Sequence, residues 1–278
     1  MPEAPEIQAH AERLHAAFHG AELSGFRAIS FTALKTFSPA PDDAFGRVLD
    51  TVSARGKHLV LTFGDISFVI HLMQGGRLKP DEKQSPKPRG GLARLVFADG
   101  RALLLTEAGK EHRAGIWVVR GDIEESEAID GLGPDATSLS VEELAALFAS
   151  ENKRLHGFLR MQRQLAGLGR RLANEICHRA KISPFAMTAK LSAEEIERVH
   201  AAIGTCVSES LDYERGRDEM SSSKERPGAV HHREGDACPV CDDTVRAVTY
   251  NRYTVNYCAT CQTGGKVLAD NTTSKFLK

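Results

Sequence analysis

Two short stretches of this sequence carry residue types that could do chemistry at the spacing found. One is Cys238-Pro-Val-Cys241 with Cys258-Ala-Thr-Cys261, the two pairs separated by sixteen residues. Each Cys-x-x-Cys knuckle bends the chain so that two sulfurs face one point. Two knuckles supply four thiolates, the donor set of a structural, tetrahedral Zn²⁺ with no open coordination position. Two disulfides are the other use of four cysteines, and they belong to an oxidising compartment. The second stretch is the start, Met1-Pro2-Glu3-Ala4-Pro5-Glu6. Removal of Met1, expected before a small residue such as Pro2, leaves a secondary amine. An α-amino group has a pKa of about 7.7–8.0 against about 10.4 for lysine, so a useful fraction is neutral near pH 7. Its attack on an aldehyde-like carbon gives a charged iminium, an electron sink for a following elimination. Glu3 and Glu6, three apart on a first helical turn, would be placed to move protons. The plainer reading is that Pro and Glu favour any helix N-terminus.

The elements that must position these residues can be read from periodicity. Ile7, Ala11, Leu14 and Phe18 form one apolar stripe of a helix over residues 3–19 that Gly20 can end. From Gly20 to about Val119 the chain turns to short β-rich runs, "HLVLTF", "ISFVIHL", "LARLVF", "ALLLT" and "GIWVV", punctuated by Gly64-Asp65 and Asp99-Gly100. That is a sandwich or barrel pattern behind a leading helix. "DEKQSPKPRGG" reads as a polar loop between two strands. After Gly131-Leu132-Gly133-Pro134 the pattern becomes helical. Ser140 with Glu143 forms a capping box, and further helices are expected over 151–162, 169–180 and 192–212. "YERGRDEMSSSKERPGAV" reads as a mobile loop. The sixteen residues between the cysteine pairs alternate and are β-branched, as a hairpin would be, with Arg246 and Arg252 available to hold a phosphate or simply to be solvated. Cys177 and Cys206 lie alone in helical contexts and read as buried thiols.

Composition narrows the class. At 278 residues with 41% hydrophobic and 26% charged side chains, the chain is of ordinary globular type. It contains no run of roughly 20 apolar residues and no basic-then-apolar leader, so a cytosolic protein without a membrane partner is expected. The net charge of −1 argues against a nucleic-acid partner only until its distribution is read. Residues 151–181 carry 8 Lys and Arg against 2 Asp and Glu, a basic surface if they fold together.

Further motifs stand in a fixed order along the chain: Pro2, Glu3, Pro5 and Glu6; "RGKHL" with Lys57; "HLMQGGRL"; Leu132-Gly133-Pro134; the glycine-rich segment from Gln162 to Gly169; and "VHHREGDACPVC" leading to the second cysteine pair and Gln262. In this combination the chain resembles the formamidopyrimidine-DNA glycosylase and endonuclease VIII family of DNA repair enzymes over essentially its whole length. The resemblance implies an α+β multidomain fold: an N-terminal helix plus β-sandwich (1–131, catalytic), a central helix-two-turn-helix DNA-binding domain (132–220), and a C-terminal four-cysteine zinc finger with a tail (221–278), with DNA in the cleft between the halves. It implies a bifunctional DNA glycosylase and abasic-site lyase, a monomer acting on damaged DNA in the cytoplasm, at the nucleoid in a prokaryote. By this reading Pro2 attacks C1′ of a flipped nucleotide, Glu3 is the acid/base at the sugar, Glu6 supports it, and Lys57 handles phosphate and protons. DNA contacts fall to Met73, Gln74, Arg113, Gln162, Gly169, Arg170 and Arg252, and one Zn²⁺ to Cys238, Cys241, Cys258 and Cys261.

Three positions depart from the family pattern. Arg170 stands where the family has an asparagine, which keeps a cation but not the amide's geometry. Arg252-Tyr253-Thr254 preserves the hairpin triplet, but Cys258 lies six residues beyond Arg252 rather than five, so a bulge is expected. Ala114 occupies the place of an aromatic wedge, leaving Arg113, Met73 or Gln74 to fill the gap of a flipped base and pointing towards single-stranded, bubbled or abasic DNA. A non-catalytic or abasic-site-preferring damaged-DNA binder is the alternative.

Overall fold

The computed structural model describes residues 1–109, 112–221, 225–250 and 253–268. The chain divides into two compact units, Met1–Gly131 and Leu132–Lys278. In the first, helix α1 (Ala4–Phe18) buries Ile7, Ala11, Leu14 and Phe18, the stripe expected from spacing. Gly20, at φ +77°, turns the chain out of it. Eight antiparallel strands follow: β1 (Leu23–Ala28), β2 (Thr51–Arg55), β3 (His58–Phe63), β4 (Ile66–His71), β5 (Gly76–Pro80), β6 (Gly91–Phe97), β7 (Ala102–Glu107) and β8 (Gly115–Arg120). They form two four-stranded sheets, ordered β1-β6-β7-β5 and β2-β3-β4-β8. Phe26 on one sheet meets Phe68 on the other at 6.0 Å between ring centroids, so the sheets close on a shared core. The five apolar runs of the sequence are β3, β4, β6, β7 and β8. The strands that periodicity did not separate, β1, β2 and β5, are all sheet edges with half their side chains in water, where the apolar signal is weakest.

The second unit packs α2 (Val141–Ser150), a single turn α3 (Leu155–Phe158), α4 (Arg170–Arg179) and the long α5 (Ala193–Arg215) around Leu144, Phe148, Phe158, Leu172, Ile176 and Ile203. Ser140 and Glu143 form the expected capping box, and Ser192 with Glu195 form another. The helix expected over 151–162 stops after one turn. Residues 132–136 take up the backbone groups that a longer helix would have used, with Gly133 N donating to Gln162 O (2.8 Å) and Ala166 N donating to Pro134 O (2.8 Å). A hairpin of β9 (Val245–Tyr250) and β10 (Tyr253–Cys258), followed by the short α6 (Ala259–Thr263), closes the described chain within the same unit. Its register runs from Tyr250 opposite Tyr253 to Val245 opposite Cys258 without a shift. The bulge expected from cysteine spacing is therefore absent: the two strands are of equal length and the extra residue is not taken up in the ladder.

Candidate active site and nucleic-acid interface

In the first unit, the site begins at the mouth of α1. Glu3 caps the helix, and Glu6 reaches back so that its Oε2 accepts from Glu3 N at 2.9 Å. Both carboxylates are buried, as are Pro2 and Pro5, so Pro at the first turn stiffens a segment that would otherwise fray. Lys57 comes from the β2–β3 turn, where Arg55 pairs with His58 and Gly56 takes φ +57° as the first central residue of a two-residue loop. A lysine in a hairpin turn ordinarily projects into solvent, yet Lys57 is only 8% exposed. Beside it, His58 and His71 face each other across β3 and β4 with ring centroids 4.6 Å apart.

Burial, then the neighbouring His58, Lys57 and the chain's amino terminus, hold His71 down at about 3; burial, with Arg55 and Lys57 nearby, holds His58 at about 4. The charges of Lys57 and the amino terminus both reach His71. Both rings are neutral at physiological pH. His71 Nδ1 accepts from Met73 N–H at 3.0 Å, so its proton sits on Nε2, which is free to donate. Sequence reasoning passed over this pair. The available signal was the two strand ends "GKHL" and "VIHL", whose register across a hairpin places one histidine opposite the other.

The rim of this unit carries the other expected contacts. Gly75 and Gly76 let the β4–β5 loop pass within contact of Ala108 O and Leu72 O, where a Cβ would lie at 2.8 and 2.1 Å. Met73, at φ +53°, is half-buried and Gln74 is exposed. Arg113 is exposed as well, but Ala114 is 0% exposed and its N–H donates to the buried Glu107 Oε2 at 2.7 Å. The wedge position thus has no surface of its own.

In the second unit, Gly169 is the N-cap of α4 and Arg170, exposed, is its first residue. Gln162 spends its amide on its own loop, donating to Arg160 O (3.0 Å) and Leu168 O (2.8 Å) and accepting from Gly167 N (3.2 Å), so its part is to hold the turn. Around α4 gather residues that the sequence had not singled out. His156 stacks on Tyr253 at 5.9 Å, and the Arg160 guanidinium lies 4.2 Å over the same ring. Burial, reinforced by Arg160 and Arg170, lowers His156 to about 3. Arg252, the expected hairpin contact, lies outside the described residues; its neighbour Tyr253 belongs to this basic cluster.

The hairpin module is held by α4. Glu175 accepts from the N–H groups of Ala229 (2.8 Å), Val230 (3.1 Å) and His231 (2.8 Å), and Asn174 bonds to His231 and to Asn256 N. His178 Nε2 lies 3.3 Å from Cys238 Sγ, and Gln262 bridges Cys258 N to Ile182 O. The four sulfurs of Cys238, Cys241, Cys258 and Cys261 lie within 4.8 Å of one another, with separations of 3.9, 3.4 and 3.4 Å around the group. Zn–S bonds of about 2.3 Å at tetrahedral angles place sulfurs about 3.8 Å apart, so the cluster fits one such ion.

Comparison with known proteins gives the family. The pattern described as the formamidopyrimidine-DNA glycosylase N-terminal domain matches residues 1–111, and that described as the formamidopyrimidine-DNA glycosylase H2TH domain matches residues 131–222. The chain belongs to the formamidopyrimidine-DNA glycosylase family. It is 42% identical over 149 residues, 53% of this chain and 94% of the other, to an uncharacterized formamidopyrimidine-DNA glycosylase-like protein of Mycobacterium tuberculosis. It is 26% identical over 275 residues, 94% of this chain and 98% of the other, to a formamidopyrimidine-DNA glycosylase of Chloroflexus aurantiacus. The crystal structure of the MutM (Fpg) protein of Thermus thermophilus superposes with a TM-score of 0.80 at 25% identity, over 96% of this chain and 100% of that one. A Lactococcus lactis formamidopyrimidine-DNA glycosylase bound non-covalently to DNA containing an abasic site shares the fold, with a TM-score of 0.84 at 19% identity over 94% of this chain and 99% of that one. No helix among the described residues is long and apolar enough to cross a membrane.

Proposed function

We propose that this protein is a bifunctional DNA glycosylase and abasic-site lyase of base excision repair. The observation that carries the reading is the mouth of α1, where Pro2, Glu3 and Glu6 are buried and the charges of the amino terminus and Lys57 reach a neutral histidine pair. Once Met1 is removed, the Pro2 nitrogen attacks C1′ of a nucleotide turned out of the stack, and the bond from C1′ to the base breaks with its electron pair going to the base. Glu3 handles the proton at the sugar oxygen, which opens the ring and leaves an iminium between Pro2 and C1′. Loss of a C2′ proton then expels the 3′ phosphate, and a second elimination expels the 5′ phosphate. Glu6 keeps the Glu3 backbone in place through its 2.9 Å bond. Lys57 and the Nε2–H of His71 are suited to a phosphate oxygen beside the reacting sugar.

Met73, Gln74 and Arg113 on the first unit, and Arg170, Arg252 and the turn built by Gln162 and Gly169 on the second, are the DNA contacts of this proposal. The four cysteines hold one Zn²⁺ whose part is structural. The buried Ala114 favours a second reading on the same scaffold, a protein that prefers abasic sites or only binds damage, since a missing wedge weakens extrusion of an intact base.

Borohydride trapping on oligonucleotides with oxidised bases or abasic sites tests both. A covalent adduct is expected from the wild-type chain, and none from the double variant Pro2→Gly, Glu3→Gln. An undiminished adduct from the double variant, or none from the wild type, would sink the mechanism. Trapping on abasic sites alone would select the second reading.

A further inference from the structure

Residues 33–36 run along the outer side of β8. Ile116 N donates to Ala33 O and Lys35 N to Ile116 O, each at 2.8 Å, and Val118 N donates to Thr36 Oγ1 at 2.8 Å. The Lys35 side chain crosses Gly115 so closely that a Cβ there would lie 2.3 Å from Lys35 Cε. Gly115 pairs with His71, and His71 with His58. One row across the sheet therefore leads from the Lys57 turn, through the histidine pair, to Lys35. Three interstrand spacings make that row about 15 Å long, and a DNA strand covers it in roughly four steps of 3.4 Å.

At the outer end of this row stand two phenylalanines that the fold leaves in water. Phe31 is 100% exposed and Phe37 is 99% exposed. Thr32 Oγ1 donates to His112 O at 3.5 Å, which ties the Phe31 end of the segment to the rim loop carrying Arg113 and the buried Ala114. Two wholly exposed aromatic rings within seven residues mark a binding surface rather than a scattered apolar side chain. Lys35 between them and Arg113 beside them are exposed cations, which complement a polyanion better than an apolar protein partner.

The geometry points to Phe31 and Phe37 as a stacking platform for unpaired bases of the DNA strand, making a single-stranded or bubbled stretch the substrate rather than a closed duplex with one base turned out. Every nucleobase has a face on which a phenyl ring can stack, so the platform is indifferent to sequence. A closed duplex keeps those faces inside and offers the rings nothing. The platform supplies the aromatic surface that Ala114 lacks, on a neighbouring segment. This inference rests on the DNA-repair reading above.

The test measures affinity of the full chain for three labelled substrates with the same abasic analogue: a single strand, a bubble and a matched duplex. The wild type is expected to favour the single strand and the bubble over the duplex by about tenfold. The double variant Phe31→Ala, Phe37→Ala should lose about tenfold on the unpaired substrates and little on the duplex, with an unchanged melting temperature because neither ring is packed. That loss should be equal at low and physiological salt, since stacking releases no counterions. Tryptophan at both positions should retain affinity, and leucine should not. A wild type that favours duplex, an alanine variant that binds the single strand as the wild type does, or a leucine variant of full affinity would each overturn the platform; the last would mark a plain apolar surface for a protein. Trapping is read in parallel. A wild type that binds unpaired DNA through these rings but never traps would overturn the glycosylase reading alone, whereas a trapped wild type whose variants all bind alike would overturn the platform alone.

Discussion

Pro2 is a nucleophile only when its nitrogen is an amine, so the proposed chemistry depends on one processing event at the first residue. Mass spectrometry of the protein as produced in cells should find a chain beginning at Pro2. A retained Met1 would lock the nitrogen in a peptide bond and rule out the attack. A second residue-scale prediction concerns His10, whose Nε2 lies 2.6 Å from Leu78 O and which burial holds at about 4. An unfolded histidine titrates near 6.5, so between about pH 6.5 and 4 the unfolded chain takes up a proton that the folded one refuses. The neutral ring's contribution is therefore intact above pH 6.5 and is lost as pH falls towards 4, by up to about 1.4 kcal/mol per pH unit. His10→Gln keeps a donor for Leu78 O without the titration. Melting temperatures from pH 7 to 4.5 should fall less steeply in this variant; equal slopes would show that His10 is not the titrating group.

Among elements, the 132–136 strap and the 162–169 turn determine how α4 is presented. Gly133 sits so close to the strap's partner that a Cβ would lie 2.6 Å from Arg163 O and 2.8 Å from Gln164 O, both backbone atoms that no side-chain rotation can move. Gly133→Ala should cost about 1–3 kcal/mol by forcing these segments apart. The loss should appear as a lower melting temperature of the second unit and weaker binding to any DNA, since Arg170 rides on the displaced turn. An unshifted melting temperature would mean that the strap yields without loss. The same close approach explains why residues 159–162, expected to be helical, are not: Gln162 O accepts from Gly133 N of the strap instead of continuing a helix.

Over the whole molecule, the two units can be watched separately because their chromophores are divided. The single tryptophan, Trp117, lies in the first unit, and all four tyrosines, Tyr213, Tyr250, Tyr253 and Tyr257, lie in the second. The apolar clusters of the cysteine module are small, so under the proposed function a bound ion would supply much of its order, roughly 10–16 kcal/mol in modules of this kind. Chelation should release one Zn²⁺ per chain, alter the tyrosine signals and abolish DNA binding, while the emission of Trp117 stays unchanged. Loss of the Trp117 signal in step with the metal would show that the first unit also depends on it.

The sequence by itself determined which residue types come in which order. Helical periodicity and one capping box gave α1, α2, α4 and α5, continuous apolar runs gave the buried strands, and the two Cys-x-x-Cys pairs gave the four-sulfur cluster, because all of these are local patterns. Motif order also pointed to the family to which the chain belongs. The tertiary structure alone decided what long-range pairing controls. It buried Lys57 and set His58 against His71, removed Ala114 from the surface, assembled His156, Arg160 and Tyr253 beside Arg170, and left Phe31 and Phe37 in water. None of these follows from neighbours in the chain. Each depends on strand register or on a helix meeting a loop far away in sequence, and burial is a property of that meeting rather than of the residue.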